Sequence, residues 1–192
     1  MGRFSLSFRQ KIICSLLLSS QLLYGAELEG VKIPDKVLCE GQELPLHGAG
    51  LRTATFLKIK VFVLAFYSPV RIQKPDWKNL NHRPMCFHLT YLRDFDAKDV
   101  DKAWDYQFKE SSEHNYPQLK DHILEVKNHF GEIKGQRAQH FAMVGEVTKI
   151  YENGKLQGEI KGADFQKSFL SIWLGKNPPT EELQEGILGE AK

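Results

Sequence analysis

The stretch HGAGLRTATFLKIKVFVLAFYSPV, His47 to Val70, decides how this chain is read. From Thr55 to Tyr67 it has the Val, Ile and Phe content of a long β-strand, and Pro69 ends it. Alternation puts Phe56, Lys58, Lys60, Phe62, Leu64 and Phe66 on one face. Leu57, Ile59, Val61, Val63, Ala65 and Tyr67 fall on the other. The second face is apolar throughout and should meet a core. The first begins polar and ends apolar, which predicts a face half solvated and half covered. Gly48 and Gly50 mark a bend or a close backbone approach just before it. Arg52 stands between those glycines and the strand. A guanidinium is the side chain best shaped to hold a carboxylate through two hydrogen bonds. A covered Lys58 or Lys60 would need an anion to offset its desolvation.

Working outward, residues 27–50 read as short strands and turns, with a hairpin at Cys39–Gln42. RIQKPDWKNLNHRP reads as a polar connection or short helix, and MCFHLTYL as another strand. The period then switches. Ala97, Val100, Trp104 and Phe108 recur at helical spacing, with Asp96 suited to cap the start. YPQLKDHILEVKNHFG predicts a second helix. Residues 139–162 predict a hairpin turning at Asn153-Gly154. Phe165, Phe169, Ile172 and Trp173 form the apolar side of a further helix, and Thr180 suits the cap of a last short one. Strands, then helices, then a hairpin and helices again predict an α+β fold: an antiparallel β-sheet covered on one face by helices.

The chain has 192 residues, 42% of them hydrophobic, and a net charge of +2 without a basic block. It is long enough for one domain with a real core, and its charge does not favour nucleic-acid binding. MGRFSLSFRQK carries Arg3, Arg9 and Lys11 and no acid, and an apolar run of signal-peptide length follows. Residues 1–26 are therefore expected to be a signal peptide, cleaved near Gly25 or Ala26, leaving a domain over 27–192 with no stable transmembrane span. The expected location is periplasmic or secreted. Processing would remove three positive charges and take the net charge to −1. Cys39 and Cys86 would remain, and in an oxidising compartment they could pair; sequence does not say whether they are within reach.

Several chemistries find no support. His114, His122, His129 and His140 lack the i, i+4 spacing that sets two metal ligands on one helix face. The carboxylates of RDFDAKDVD read as helix-capping groups. No serine sits in a nucleophile elbow, and no glycine pattern resembles a phosphate loop. No metal or cofactor is expected. The aromatic residues of the helices read as core, or else as the wall of an apolar cavity between sheet and helices.

GAGLR followed by FLKIKVFVLAFY resembles the arginine loop and long strand of the chalcone isomerase fold. GADFQKSFLSIWLG resembles its C-terminal helix, and KNPPTEELQEGILG is similar to the ending of its bacterial exported members. The resemblance covers most of residues 30–190. It implies an open-faced β-sandwich, and a family that holds plant enzymes closing chalcones, plant fatty-acid-binding relatives and bacterial exported proteins. The enzymes' arginine matches Arg52. Their strand threonine falls at Lys60 and their helix hydroxyl at Ile172, while FDAKDVDKAW has neither their tyrosine nor their asparagine. A retained arginine with a lost polar network implies a binder rather than a cyclising enzyme.

The expected function is thus non-catalytic binding of a fatty acid or similar apolar carboxylate. The expected ligand-binding residues are Arg52, Lys60, Phe62, Phe66, Trp104 and Ile172. An isomerase or intramolecular lyase is the alternative, with Tyr67, Tyr91 or His88 as acid–base groups. A ligandless structural or partner-binding protein is a further one, and it predicts no cavity beneath Trp104 and Trp173.

Overall fold

A computed structural model describes residues 24–80, 82–111 and 116–190. The signal peptide expected over residues 1–26 lies almost wholly outside them; the expected cleavage point falls within the first strand, β1 (Tyr24–Leu28). β1 pairs with β2 (Val31–Pro34) in a small separate sheet. The main sheet has seven antiparallel strands in chain order: β3 (Lys36–Cys39), β4 (Gln42–Ala54), β5 (Ile59–Tyr67), β6 (His82–Tyr91), β7 (Ala138–Gly145), β8 (Val147–Glu152) and β9 (Lys155–Lys161). The helices are α1 (Ala97–Ser111), α2 (Lys120–Asn128), α3 (Ala163–Leu174) and α4 (Glu181–Leu188). The fold is α+β, as the pattern predicts. No helix among the described residues is long and apolar enough to cross a membrane.

Alternation along β5 and β6 divides the interior in two. Phe62, Leu64, Phe66, Phe87, Leu89 and Tyr91 meet Trp104, Phe108, Phe169 and Trp173 on the helix-covered face. Val63, Ala65, Tyr67 and Cys86 meet Ile33, Cys39 and Leu44 on the outer face, beneath β2 and β3. β3 pairs with the first residues of the long β4, and the later residues of β4 pair with β5. The β3–β4 hairpin can therefore fold back over the outer face. Two ties hold it there. Cys39 and Cys86 form a disulfide from β3 to β6, with Cα atoms 6.3 Å apart. Glu40 accepts hydrogen bonds from Lys149 Nζ (2.6 Å) and from the Tyr151 hydroxyl, both on β8.

Two local expectations are corrected, and a third is met. The strand predicted from Thr55 begins at Ile59, because residues 55–58 form a turn in which Lys58 N–H donates to the Thr55 carbonyl at 3.1 Å. The hairpin predicted over 139–162 is a three-stranded meander: besides the Asn153-Gly154 turn, Gly145 (φ 58°) allows a second reversal. The close approach expected at Gly48 and Gly50 is made by α4. A Cβ on Gly50 would lie 2.5 Å from the Leu183 carbonyl oxygen, and one on Gly186 would lie 2.6 Å from that of Ala49. Thr180 caps α4, its hydroxyl accepting from Leu183 N–H at 3.3 Å.

Candidate functional site

Between α1, α3, the start of β5 and the end of β6 lies a cavity of about 300 Å³. Its floor is aromatic and aliphatic: Phe62, Leu89, Tyr91, Val100, Trp104 and Trp173 are all buried. Its rim is more exposed and carries Arg52, Ala54, Asp99, Ala103, Gln107 and Pro179. The floor is rigid for a packing reason. Phe62 meets Tyr91 and Trp173 edge-on, with ring centroids 5.6 and 6.2 Å apart, and Trp104 stacks on Phe130 at 5.0 Å.

Arg52 reaches the rim through simple strand parity. Gly48, Gly50, Arg52 and Ala54 share the helix-covered face of β4; the two glycines lie against α4, and the next two residues on that face line the cavity. Arg52 sits directly opposite Phe62 on β5. It is half-buried, and among the described residues no carboxylate makes an ion pair with it. Burial lowers the pKa of its guanidinium from the ordinary arginine value, and the field of Glu182 partly opposes this. Glu182 is itself largely exposed and lies 3.6 Å from Lys58 Nζ. The buried indole N–H of Trp173, another residue of the lining, has no acceptor among the described residues.

Of the six residues expected at the site, the fold brings Arg52, Phe62 and Trp104 to the cavity, and Lys60, Phe66 and Ile172 lie elsewhere. Lys60 is turned away by a β-bulge. Arg52 pairs with Phe62 but Thr53 pairs with Lys60, so Val61 is an extra residue on β5. One extra residue reverses the alternation. Lys60 thereby leaves the face of Phe62 and pairs with Glu29, in the β1–β2 turn, at 2.5 Å. Lys58 and Lys60 are both exposed and both paired, so neither carries the desolvation that a covered lysine would. Phe66 lies farther along β5, stacked on Phe87 with centroids 4.5 Å apart and beside His47. Ile172 is fully buried on α3 and belongs to the core.

The ligand-binding residues expected from sequence omit Phe95, Val100, Gln107, Trp173 and Pro179, and Tyr91 was named only as an alternative acid–base group. Val100 and Trp173 did carry a signal, since each shares an apolar helix stripe with residues already singled out. Of the three acid–base candidates, Tyr67 and His88 lie on the outer face, with ring centroids 4.9 Å apart. Tyr91 does line the cavity. Its hydroxyl donates to Gln139 Oε1 at 3.0 Å, and burial raises its pKa, so the phenol stays protonated and engaged.

A seven-stranded antiparallel sheet, helices on one face and an arginine at the mouth of an apolar cavity define the class. The profile of the chalcone isomerase-like family matches residues 25–189, and the chain belongs to that family. Its fold is similar to the crystal structure of a fatty-acid binding protein of Arabidopsis thaliana. The two superimpose with a TM-score of 0.71 at 16% identity, covering 83% of this chain and 92% of the other. No curated protein matches the chain significantly.

Proposed function

We propose that this protein is an exported, non-catalytic carrier of a fatty acid or a similar apolar carboxylate. The observation that carries this reading is Arg52: a half-buried cation without an ion-pair partner among the described residues, at the rim of a cavity with an aromatic and aliphatic floor. A ligand carboxylate would accept two parallel hydrogen bonds from the guanidinium, strengthened by the partly desolvated setting. The acyl chain would run inward over Phe62, Leu89 and Val100 toward Trp104.

Four further observations support it. The cavity size is that of a small-molecule pocket. A cavity lined by both Trp104 and Trp173 is what a filled, ligandless core would lack. The Cys39–Cys86 disulfide suits export, because such bonds persist in oxidising compartments. The similar Arabidopsis protein is a fatty-acid binding protein by its description.

The test is titration of the purified protein with a fluorescent fatty acid, alongside the matching fatty alcohol. Saturable binding of the acid, with the alcohol much weaker, is expected. Equal affinity for acid and alcohol would remove the assigned role of Arg52, and no binding of either would remove the reading.

A further inference from the structure

The tip of the β4–β5 hairpin is built against the ordinary chemistry of turns. Phe56 and Leu57 form it, and they are 92% and 66% exposed. Turn positions usually hold glycine, asparagine, aspartate or serine, which tolerate both water and left-handed backbone. Here Thr55 and Lys58 take positive φ angles of 61° and 48°. Threonine is β-branched, so that conformation is strained for it. The chain thus keeps a strained turn that presents two large apolar side chains to solvent.

The same hairpin supplies Arg52, Ala54 and Val61 to the cavity lining, so its tip stands beside the mouth. Across the mouth, α1 carries Asp99, Ala103 and Gln107. Tyr106 is 63% exposed and lies three residues after Ala103, as its neighbour on the helix surface.

We propose that Phe56 and Leu57 insert into a phospholipid bilayer, seating the cavity mouth on the surface from which an apolar ligand is exchanged. The exchange role rests on the binding reading above; the insertion stands without it. Size favours a bilayer over a protein partner. Two side chains at a convex tip cover far less than the roughly 800 Å² that each partner contributes to a standard protein interface. A bilayer asks only that apolar groups reach the acyl boundary, about 5–10 Å deep. Charge predicts the character of the contact. Lys58 and Lys60 are already paired with Glu182 and Glu29, so the attraction is apolar and depends little on salt.

The experiment uses the full chain and a local readout, which the apolar N-terminal segment cannot supply. Phe56→Trp is mixed with vesicles of phosphatidylcholine, alone or with phosphatidylglycerol, whose acyl chains carry bromine. Emission is taken as the difference from the parent chain. Transfer of a fluorescent fatty acid from vesicles to protein is timed for the parent and for Phe56→Ser/Leu57→Ser. The expected result is quenching at position 56 with both lipids, and transfer slowed at least tenfold in the double variant. Its affinity for the same fatty acid delivered in solution should be unchanged. Absence of quenching overturns the proposal, as does transfer at the parent rate. Self-association that depends on Phe56, without quenching, would assign the tip to a contact between copies and also overturn it. Quenching at position 56 in Phe56→Trp, together with a parent chain that binds no fatty acid in solution, would retain the insertion and discard the carrier reading.

Discussion

His88 on β6 and His140 on β7 face each other across the ladder with their imidazole rings stacked, centroids 3.8 Å apart and planes 11° apart. Burial pushes His88 down to about 3, with His140 adding to the effect, and burial lowers His140 too. In the unfolded chain each takes a proton near pH 6.5. Between those values the unfolded state binds more protons, so stability is full above about pH 6.5 and falls as the pH drops toward 3. His88 alone accounts for about 2 kcal/mol between pH 7 and pH 5. Urea midpoints at the two pH values measure this, and His88→Leu/His140→Leu should flatten the difference. Equal parent midpoints at both pH values would contradict it.

The bulge at Val61 separates two cations that strand parity would have put together. Arg52→Ala should weaken fatty-acid binding by roughly tenfold to a hundredfold, the value of a charge-assisted hydrogen-bonded contact. Lys60→Ala should leave affinity within about twofold, because Lys60 pairs with Glu29 on the other side of the sheet. Fluorescent-ligand titration of both variants decides this. Equal losses would mean that the bulge does not turn Lys60 away.

The disulfide joins cysteines 47 residues apart on the outer face, away from the cavity. Loop closure of that length is worth about 4 kcal/mol. Cys39→Ala/Cys86→Ala should lower stability by an amount of that order, read from denaturant midpoints, with ligand affinity unchanged. A parallel loss of affinity would show that the two faces of the sheet are coupled.

Gly50→Ala and Gly186→Ala each place a methyl against opposing backbone rather than against a side chain that can move. Each should cost about 1–3 kcal/mol, the usual range for overpacking. Gly131→Ala, where a Cβ meets nothing within 4 Å, is the control and should be close to neutral in thermal melts.

The layout was legible in the sequence where periodicity alone decided it. The stripe Val100, Trp104, Phe108 and the asparagine–glycine turn each fixed an element, and Gly48 and Gly50 announced a close approach without naming α4. Parity failed at Val61, because a bulge leaves no mark in a run of apolar residues. Phe66 and Ile172 were misplaced for another reason. Core and cavity draw on the same residue types, and depth along a strand separates them only after the helices have docked. The reach between Cys39 and Cys86 depended on β3 folding back over the sheet, which local pattern does not encode.

The docking of α4 on β4 has a kinetic consequence. Along the sheet every strand pairs with its neighbour in the chain, so contacts can form in the order of synthesis. α4 docks across one of the longest separations. Its Ile187 carbonyl accepts from His47 Nδ1 at 2.9 Å across a separation of 140 residues, and Ile72 N–H, donating to His47 Nε2 at 2.7 Å, fixes that tautomer. Arg52 therefore waits for almost the whole chain before Pro179 and α4 close its side of the mouth. The sheet can mature early, while the binding competence of the protein arrives late, with its last helix.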